Sequence, residues 1–238
     1  MRAFWPIFKR ELFAFFVTPL AWVLITVFLI LQGMNFYWII DTFATRVEPS
    51  DQTPLQAFFG NTVLLYLVLF LLVPPMTMRL FSEERKSGTI EPLMTAPVSS
   101  VAVVLAKYAA VVTTYLAMWA PTLLYLIILK RAGDVDLKAA ASAYLGVGLV
   151  GASYLSVGLL MSAATDSQFL ALFLLGIGEF IARDGSVLQA VCSHVSVWAQ
   201  MNDFASGIVD TRRLAFDATL IVFPLFVTTR VVDSWRWG

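Results

Sequence analysis

Charged residues are scarce in this sequence. They make up 13% of the 238 residues, where soluble domains carry about 25%, and 59% of the residues are hydrophobic. Because a soluble fold of this size needs a more polar surface, the composition predicts a protein that crosses a membrane several times. The formal net charge is zero, so no polyanionic partner such as a nucleic acid is expected.

Cysteine and histidine are equally scarce. Cys192 is the single cysteine, which excludes a disulfide within the chain and a cysteine-rich metal site. His194 is the single histidine, and no Gly-x-Ser-x-Gly motif accompanies it, so we interpret it as a surface or packing residue. The sequence also lacks the phosphate-binding loop GxxxxGKS or GxxxxGKT. We therefore expect no catalytic site, no metal site and no cofactor bound by this chain.

Long runs without charge are what the sequence has instead. Because about 20 apolar residues cross the hydrocarbon core as a helix, these runs predict an all-α polytopic membrane protein with six transmembrane helices, a single domain over residues 1–238. The fifth run, from Ser167, is the least regular, since Glu179 interrupts it. The predicted spans lie near residues 20–40, 52–78, 100–129, 139–165, 167–183 and 214–232.

Six spans place both termini on the same side of the membrane. Arg2, Lys9 and Arg10 precede the first span, whereas only Arg46 follows it before the second. Because cytoplasmic segments carry the excess of Lys and Arg, both termini are predicted to be cytoplasmic. The same orientation places residues 79–99 in the cytoplasm.

Residues 1–17 predict a separate helix that lies in the headgroup layer ahead of the first span. Lys9 and Arg10 lie away from its apolar face, as is usual for interfacial helices. Glu11 breaks the pattern, because it falls on the apolar side. The alternative is a ragged extension of the first span. The side chains that share the apolar face are Phe4, Phe8, Leu12 and Phe15.

The stretch FSEERKSGTIEP, which begins at Phe81, combines charge with helix-capping residues between two apolar runs. Ser82 is a suitable N-cap, which would place Glu83 and Glu84 in the first turn of a short helix. Gly88 can end that turn in the left-handed conformation.

A second short helix is predicted directly after the first. Thr89 would cap it, with Glu91 and Pro92 in its first turn, and Ser99 or Ser100 would open the third span. The alternative is a connector whose charges only keep it out of the bilayer.

The run SEERKSGTIEPLMTAPVSSVAVVLAKY resembles a segment of permease subunits in the ABC-2 class of ATP-driven transporters. In that family, an acidic connector containing Gly-Thr follows the second span. FKRELFAFFVTPLAWVL is similar to the family's Arg-Glu-Leu interfacial helix, here Lys9, Arg10 and Glu11, and the first span after it. DSQFLALFLL and HVSVWAQMNDFASGIVDTRRLAFD resemble the elements before the fifth and last spans. Within the class, the sequence is most similar to the permeases associated with gliding motility.

The resemblance implies a six-span permease similar to type V exporters, in the cytoplasmic membrane of a bacterium or archaeon. Its connector would dock on a separate ATPase subunit, which binds ATP and Mg. A second permease chain, identical or related, would complete the transport path, and lipid would surround both. The residues that would couple to the ATPase are Glu83, Glu84, Arg85, Gly88, Thr89 and Glu91.

Residues 184–213 are amphipathic and predicted to lie outside the cell. The resemblance implies short helices that dip into the outer leaflet, and a plain outer loop is the alternative. Trp198, Met201 and Phe204 would be the buried anchors. The side chains that would face water or an extracytoplasmic accessory protein are Asp203, Asp210, Arg212 and Arg213.

Glu179 lies near mid-membrane if the fifth span is a regular helix, and Arg183 could pair with it. It would then line a path, or act as the proton site of an ion-coupled carrier, which is the alternative function. A short fifth helix that ends early would instead place Glu179 at the outer interface. An intramembrane enzyme is disfavoured, because the sequence shows no buried catalytic dyad.

Overall fold

The computed structural model describes residues 4–45, 53–60, 63–86, 88, 98–132, 135–164 and 197–235. Within these ranges the chain is all-α, as predicted. A 3-10 turn at Ala120–Thr122 joins α5 to α6. The helices are α1 (Phe4–Val17), α2 (Pro19–Thr45), α3 (Pro54–Gly60), α4 (Val63–Lys86), α5 (Ser100–Trp119), α6 (Leu123–Ala132), α7 (Leu137–Ala164), α8 (Val197–Ala205) and α9 (Thr211–Ser234).

Four helical segments in these ranges are long and apolar enough to cross a membrane: α2, α5 with α6, α7 and α9. They correspond to the predicted first, third, fourth and sixth spans. The predicted second span is divided between the short α3 and the longer α4, whose apolar part is Leu67–Ser82. The predicted fifth span, with Glu179 and Arg183, lies outside the described residues.

The prediction that Ser82 caps a new helix is wrong. α4 continues without interruption to Lys86, so Ser82 lies inside the helix and Glu84 lies in its last turn. The packing of α4 against α7 explains this, because the Ser162 hydroxyl accepts hydrogen bonds from the backbone N–H groups of Phe81 and Ser82 at 3.3 and 3.2 Å.

Two other helix signals are confirmed. Gly88 follows the end of α4 with a φ of 70°, which glycine adopts without steric cost. Ser99 caps α5, and its hydroxyl accepts a hydrogen bond from the N–H of Ala102 at 3.3 Å.

α7 lies at the centre of the bundle, and its small residues let neighbouring helices approach closely. A Cβ atom at Gly146 would lie 2.6 Å from the ring of Phe204 in α8, and one at Gly158 would lie 2.7 Å from the hydroxyl of Thr77 in α4. On the face of α7 that packs against α9, the Ser156 hydroxyl donates a 2.8 Å hydrogen bond to the carbonyl oxygen of Leu220.

The third span breaks at Pro121. Proline has no N–H to continue the helical ladder, and the chain forms the 3-10 turn instead. The Thr122 hydroxyl donates to the carbonyl of Trp119 at 2.7 Å and lies 2.9 Å from the Tyr144 hydroxyl. These bonds satisfy polar groups that the break places inside the bundle.

Gln32 is a polar side chain within the apolar helix α2. Its side chain is fully buried, but neither its Nε2 nor its Oε1 atom has a hydrogen-bond partner among the described residues. The Nδ2 atom of Asn35, one turn further along the same helix, is in the same situation.

Candidate functional site

Four ionisable side chains from three helices meet where α4 ends. Lys107 of α5 places its Nζ atom 2.9 Å from Oε1 of Glu84 in α4 and 3.3 Å from Oε1 of Glu11 in α1. Arg10 places its Nη2 atom 2.6 Å from Glu11 and 3.5 Å from Glu84. We call Arg10, Glu11, Glu84 and Lys107 the ion cluster. With two cations and two carboxylates, it is formally neutral.

The solvent exposure of the side chains in the ion cluster increases from Lys107 to Arg10. The side chain of Lys107 is 0% exposed, those of Glu11 and Glu84 are 10% and 19% exposed, and that of Arg10 is 55% exposed. A buried ammonium group is tolerated only with partners that replace its hydration. Here the two carboxylates do so, and the ring of Phe81 adds a cation–π contact at 5.3 Å.

The position of Glu11 explains the irregular pattern of α1. The buried residues of this helix are Ile7, Glu11 and Phe15, spaced four apart on the face that packs against α5. The face predicted to enter the lipid is therefore partly wrong: Phe15 is buried against protein, and Phe4 and Phe8 are only partly buried there. Glu11 lies on the apolar side because its partner Lys107 lies there.

Arg85 fastens the same end of α4 to two further helices. Its Nη1 atom donates to the carbonyl oxygen of Ala163 in α7 at 3.3 Å, and its guanidinium carbon lies 5.3 Å from the ring of Trp235, which caps α9. Phe81 packs edge-on against Trp235, with ring centroids 5.8 Å apart. The last turns of α4 thus contact α1, α5, α7 and α9.

Burial also sets the electrostatics of the ion cluster. It raises the pKa of the Glu84 carboxyl above its ordinary value, and the Lys107 ammonium group opposes this rise without cancelling it. For Arg10, burial lowers the pKa of the guanidinium, but the hydrogen bond to Glu11 and the charges of Glu11 and Glu84 outweigh it, so the pKa is raised.

The structure brings together three residues that the sequence assigns to two separate groups. Arg10 and Glu11 are predicted as parts of an interfacial helix and Glu84 as an ATPase contact, yet all three meet at Lys107. Lys9 stays apart, 5.1 Å from the ring of Trp5.

Part of the predicted coupling segment lies within the described residues, namely residues 79–86, 88, 98 and 99, and Gly88 there is exposed. The side chain of Glu83, together with Thr89 and Glu91, lies outside the described residues.

The four charged residues of the predicted outer surface do not form a single group. Arg213 and Asp203 form an ion pair at 3.2 Å, while the Asp210 carboxylate caps α9 by accepting a 2.9 Å hydrogen bond from the N–H of Arg212. The predicted anchors Met201 and Phe204 are buried within the protein, with the ring of Phe204 against Gly146 of α7. The side chain of Trp198, the third predicted anchor, lies outside the described part of the chain.

Sequence reasoning did not select Lys107 as a functional residue. The available signal was a single lysine inside an otherwise apolar span, a position that requires a partner. Asp217 gives the same signal in α9, where it is 1% exposed and its carbonyl oxygen accepts a 3.4 Å hydrogen bond from Ser153. In the described ranges, no three His, Cys, Asp or Glu side chains are grouped as a metal site.

A family described as "ABC-2 family transporter protein" matches residues 32–182, more than half of the chain. The chain belongs to the ABC-2 family. The matched region includes Glu84 and Lys107, whereas Arg10 and Glu11 precede it. No curated protein matches the sequence. The permease is therefore the multi-pass membrane component of an ABC transporter, and such components work with a separate ABC ATPase subunit.

Proposed function

We propose that the permease converts ATP binding and hydrolysis on the ATPase subunit into movement of its spans, through residues 79–99. The observation that supports this role is the ion cluster. A load on the segment after Lys86 reaches α4 at the turn that holds Glu84. From there it is passed to α1 through Glu11 and Arg10 and to α5 through Lys107.

The burial of Lys107 makes this connection stiff. Separating a buried charge from its partner costs about 3–5 kcal/mol, because the charge is left without hydration. The three helices therefore tend to move together rather than to separate when α4 is displaced. Arg85 and Phe81 extend the connection to α9 through Trp235.

A transport path in this proposal needs two permease chains, identical or related, and one ATPase per permease. The complex of two permeases and two ATPases would export a solute, or it would transmit force to an extracytoplasmic accessory protein at residues 184–213, as in the gliding-motility group. Family membership favours this ATP-driven function over the ion-coupled carrier that would use Glu179.

Docking and transmission can be tested separately in complexes extracted from native membrane with a gentle detergent. Reversing charge in the connector with the Glu83→Lys and Glu91→Lys double variant should release the ATPase, which is measured by its copy number per permease. Lys107→Met should leave the ATPase bound, because that side chain is fully buried.

Transmission is then read by hydrogen–deuterium exchange with and without ATP. In the unmodified complex, ATP should change exchange in residues 79–99, α1 and α5. In Lys107→Met, the change should be confined to 79–99. An ATP response of α1 and α5 that persists in this variant contradicts the role of the ion cluster, and a permease that purifies without any ATPase contradicts the whole proposal.

A further inference from the structure

Two amide side chains lie buried at the middle of α2. Gln32 and Asn35 are 0% and 1% exposed, and within the described part of the chain no group bonds to Nε2 or Oε1 of Gln32 or to Nδ2 of Asn35. Residues three apart share a helix face, so we call these two residues the amide pair. Buried polar groups in native proteins are nearly always hydrogen-bonded, and those that are not destabilise the fold. The amide pair therefore has unused capacity to bind a ligand.

Aromatic rings lie on both sides of the amide pair along α2. One turn before Gln32, Phe28 packs edge-on against Trp119 of α5, with ring centroids 5.0 Å apart. One turn after Gln32, Phe36 stacks on Tyr125 of α6 at 4.5 Å. The amide pair thus lies between two groups of rings.

The second group of rings is a closed triangle. Phe58 of α3 lies 6.2 Å from Phe36 and 5.9 Å from Tyr125, measured between ring centroids. We call Phe36, Phe58 and Tyr125 the ring layer. Its members come from three separate helices, and each ring contact is weak by itself, so displacement of one helix opens the layer.

A cavity of about 550 Å³ lies on the other side of the ring layer from the amide pair. Each helix of the ring layer also lines this cavity, through Ile40 of α2, Leu55 of α3 and Leu129 of α6. These residues are three or four positions from the corresponding rings, which is about one helical turn. In the predicted orientation, the cavity is at the extracytoplasmic end of the bundle. The ring layer therefore separates the amide pair from a space that is open to the outside.

The surroundings of the amide pair carry no formal charge on these helices. Residues 19–40, 54–60 and 108–129 contain no Asp, Glu, Lys or Arg. A charged ligand would have no counter-ion there, and moving a charge into apolar surroundings is costly. The amide nitrogens donate hydrogen bonds and the Gln32 oxygen accepts them, and a hydroxyl group can pair with both kinds of atom.

We propose that the amide pair binds an uncharged solute that carries hydroxyl groups, and that the ring layer controls entry of this solute from the cavity. The site lies within one permease chain, so it is separate from the path that two chains would enclose. It does not rest on the proposed coupling to the ATPase.

The test is cysteine modification of the full-length permease in nanodiscs, with Cys192 replaced by serine in every variant. The reagents are hydroxyethyl methanethiosulfonate, which is uncharged, and its trimethylammonium and sulfonate analogues, which are charged. Asn35→Cys should react with the uncharged reagent far faster than with the charged ones. Thr53→Cys, at an exposed position in the cavity, should react with all three. Similar rates for all three reagents at Asn35→Cys overturn the uncharged class.

A neighbouring cysteine reports on entry through the lipid. Met34 is exposed on the outside of α2, so Met34→Cys should react slowly with the reagents in water. Equal rates for Met34→Cys and Asn35→Cys mean that the reagent arrives through the bilayer, which overturns the site. Gln32→Cys serves as a second reporter, and no reaction at either buried position overturns the whole proposal.

The ring layer is tested by two matched variants in the Asn35→Cys background. Phe36→Leu removes one ring of the layer and should speed up modification several-fold. Phe28→Leu removes a ring on the other side of the amide pair and should not change the rate. Gel filtration checks that both variants are folded. Equal acceleration by both variants, or none in Phe36→Leu, overturns the role of the ring layer.

The amide pair has its own readout in the same background. Propyl methanethiosulfonate matches the hydroxyethyl reagent in size but lacks the hydroxyl group. The ratio of the hydroxyethyl rate to the propyl rate should fall in Gln32→Leu, because leucine cannot form a hydrogen bond with the hydroxyl. The same ratio at Thr53→Cys should not depend on Gln32. An unchanged ratio at Asn35→Cys overturns recognition by the amide pair.

Discussion

The ammonium nitrogen of Lys107 lies 2.9 Å from a carboxylate oxygen of Glu84, and the lysine side chain is completely buried. This pair joins the end of α4 to the first half of α5, across a connector that the family match includes. Glu11 contacts the same nitrogen from α1, so one buried charge holds three helices together.

Removing that charge should destabilise the permease strongly. Lys107→Met leaves Glu11 and Glu84 facing each other without a buried cation, and the expected loss is about 3 kcal/mol or more in the free energy of unfolding. The measurement is the midpoint of thermal unfolding in detergent. The control is Lys138→Met, which removes an exposed lysine and should change the midpoint little.

A second substitution should recover part of the loss. In Lys107→Met with Glu84→Gln, one of the two uncompensated carboxylates is gone, so the midpoint should rise above that of Lys107→Met alone. If the double variant is less stable than the single one by the full effect of Glu84→Gln, the two residues act independently and the ion pair contributes nothing.

The stability of the permease should depend on pH through Glu84. Its pKa is raised in the folded protein because of burial, so the folded state holds the proton at pH values where the unfolded chain has released it. In that window the folded state binds more protons, and the contribution of Glu84 to stability is lost as the pH rises through the raised pKa.

Glu84→Gln should flatten this part of the profile. The measurement compares unfolding midpoints from about pH 4 to about pH 8, where an ordinary glutamate titrates at about 4.3. Asp41→Asn, at an exposed position, serves as the control and should keep the slope of the unmodified protein. Parallel profiles for Glu84→Gln and the unmodified protein would exclude Glu84 as the source.

Two glycines on α7 should respond oppositely to alanine. In Gly146→Ala, the new methyl group would lie 2.6 Å from the buried ring of Phe204, so α8 must shift, at a cost of about 1–3 kcal/mol. In Gly148→Ala, the methyl group meets only Leu116, at 3.6 Å, and the gain in helix propensity should leave stability equal or slightly higher. Equal unfolding midpoints for the two variants would show that α8 does not pack on α7 as described.

The two aspartates near the start of α9 should differ in their effect on stability. Asp210→Ala removes the N-cap of α9 and should cost about 1 kcal/mol. Asp203→Ala breaks an ion pair at a half-exposed side chain and should cost less, about 0–1 kcal/mol. Unfolding midpoints rank the two variants, and a larger loss for Asp203→Ala would mean that its pair with Arg213 holds α8 against α9.

Much of the bundle could be predicted from the sequence because each feature there has a local cause. Apolar length alone locates α2, α7 and α9, and Pro121 marks its own break, since a missing N–H acts wherever it occurs. Ser99 and Gly88 are also recognised locally, because a serine hydroxyl can cap a helix and glycine adopts a positive φ without steric cost. Ser82 was misassigned because a cap signal inside a helix is overruled by packing, here against Ser162.

The ion cluster could not be predicted in the same way. Glu11, Glu84 and Lys107 are distant in sequence; Glu11 and Lys107 were visible only as charges in unexpected places, and Glu84 was assigned to the connector. The sequence by itself determined that the protein is helical, crosses the membrane several times and is free of cysteine-based and phosphate-loop sites, because these follow from composition and spacing. Only the tertiary structure decided which charges meet, because a buried ion pair depends on how three helices pack, and packing joins residues that no local pattern connects.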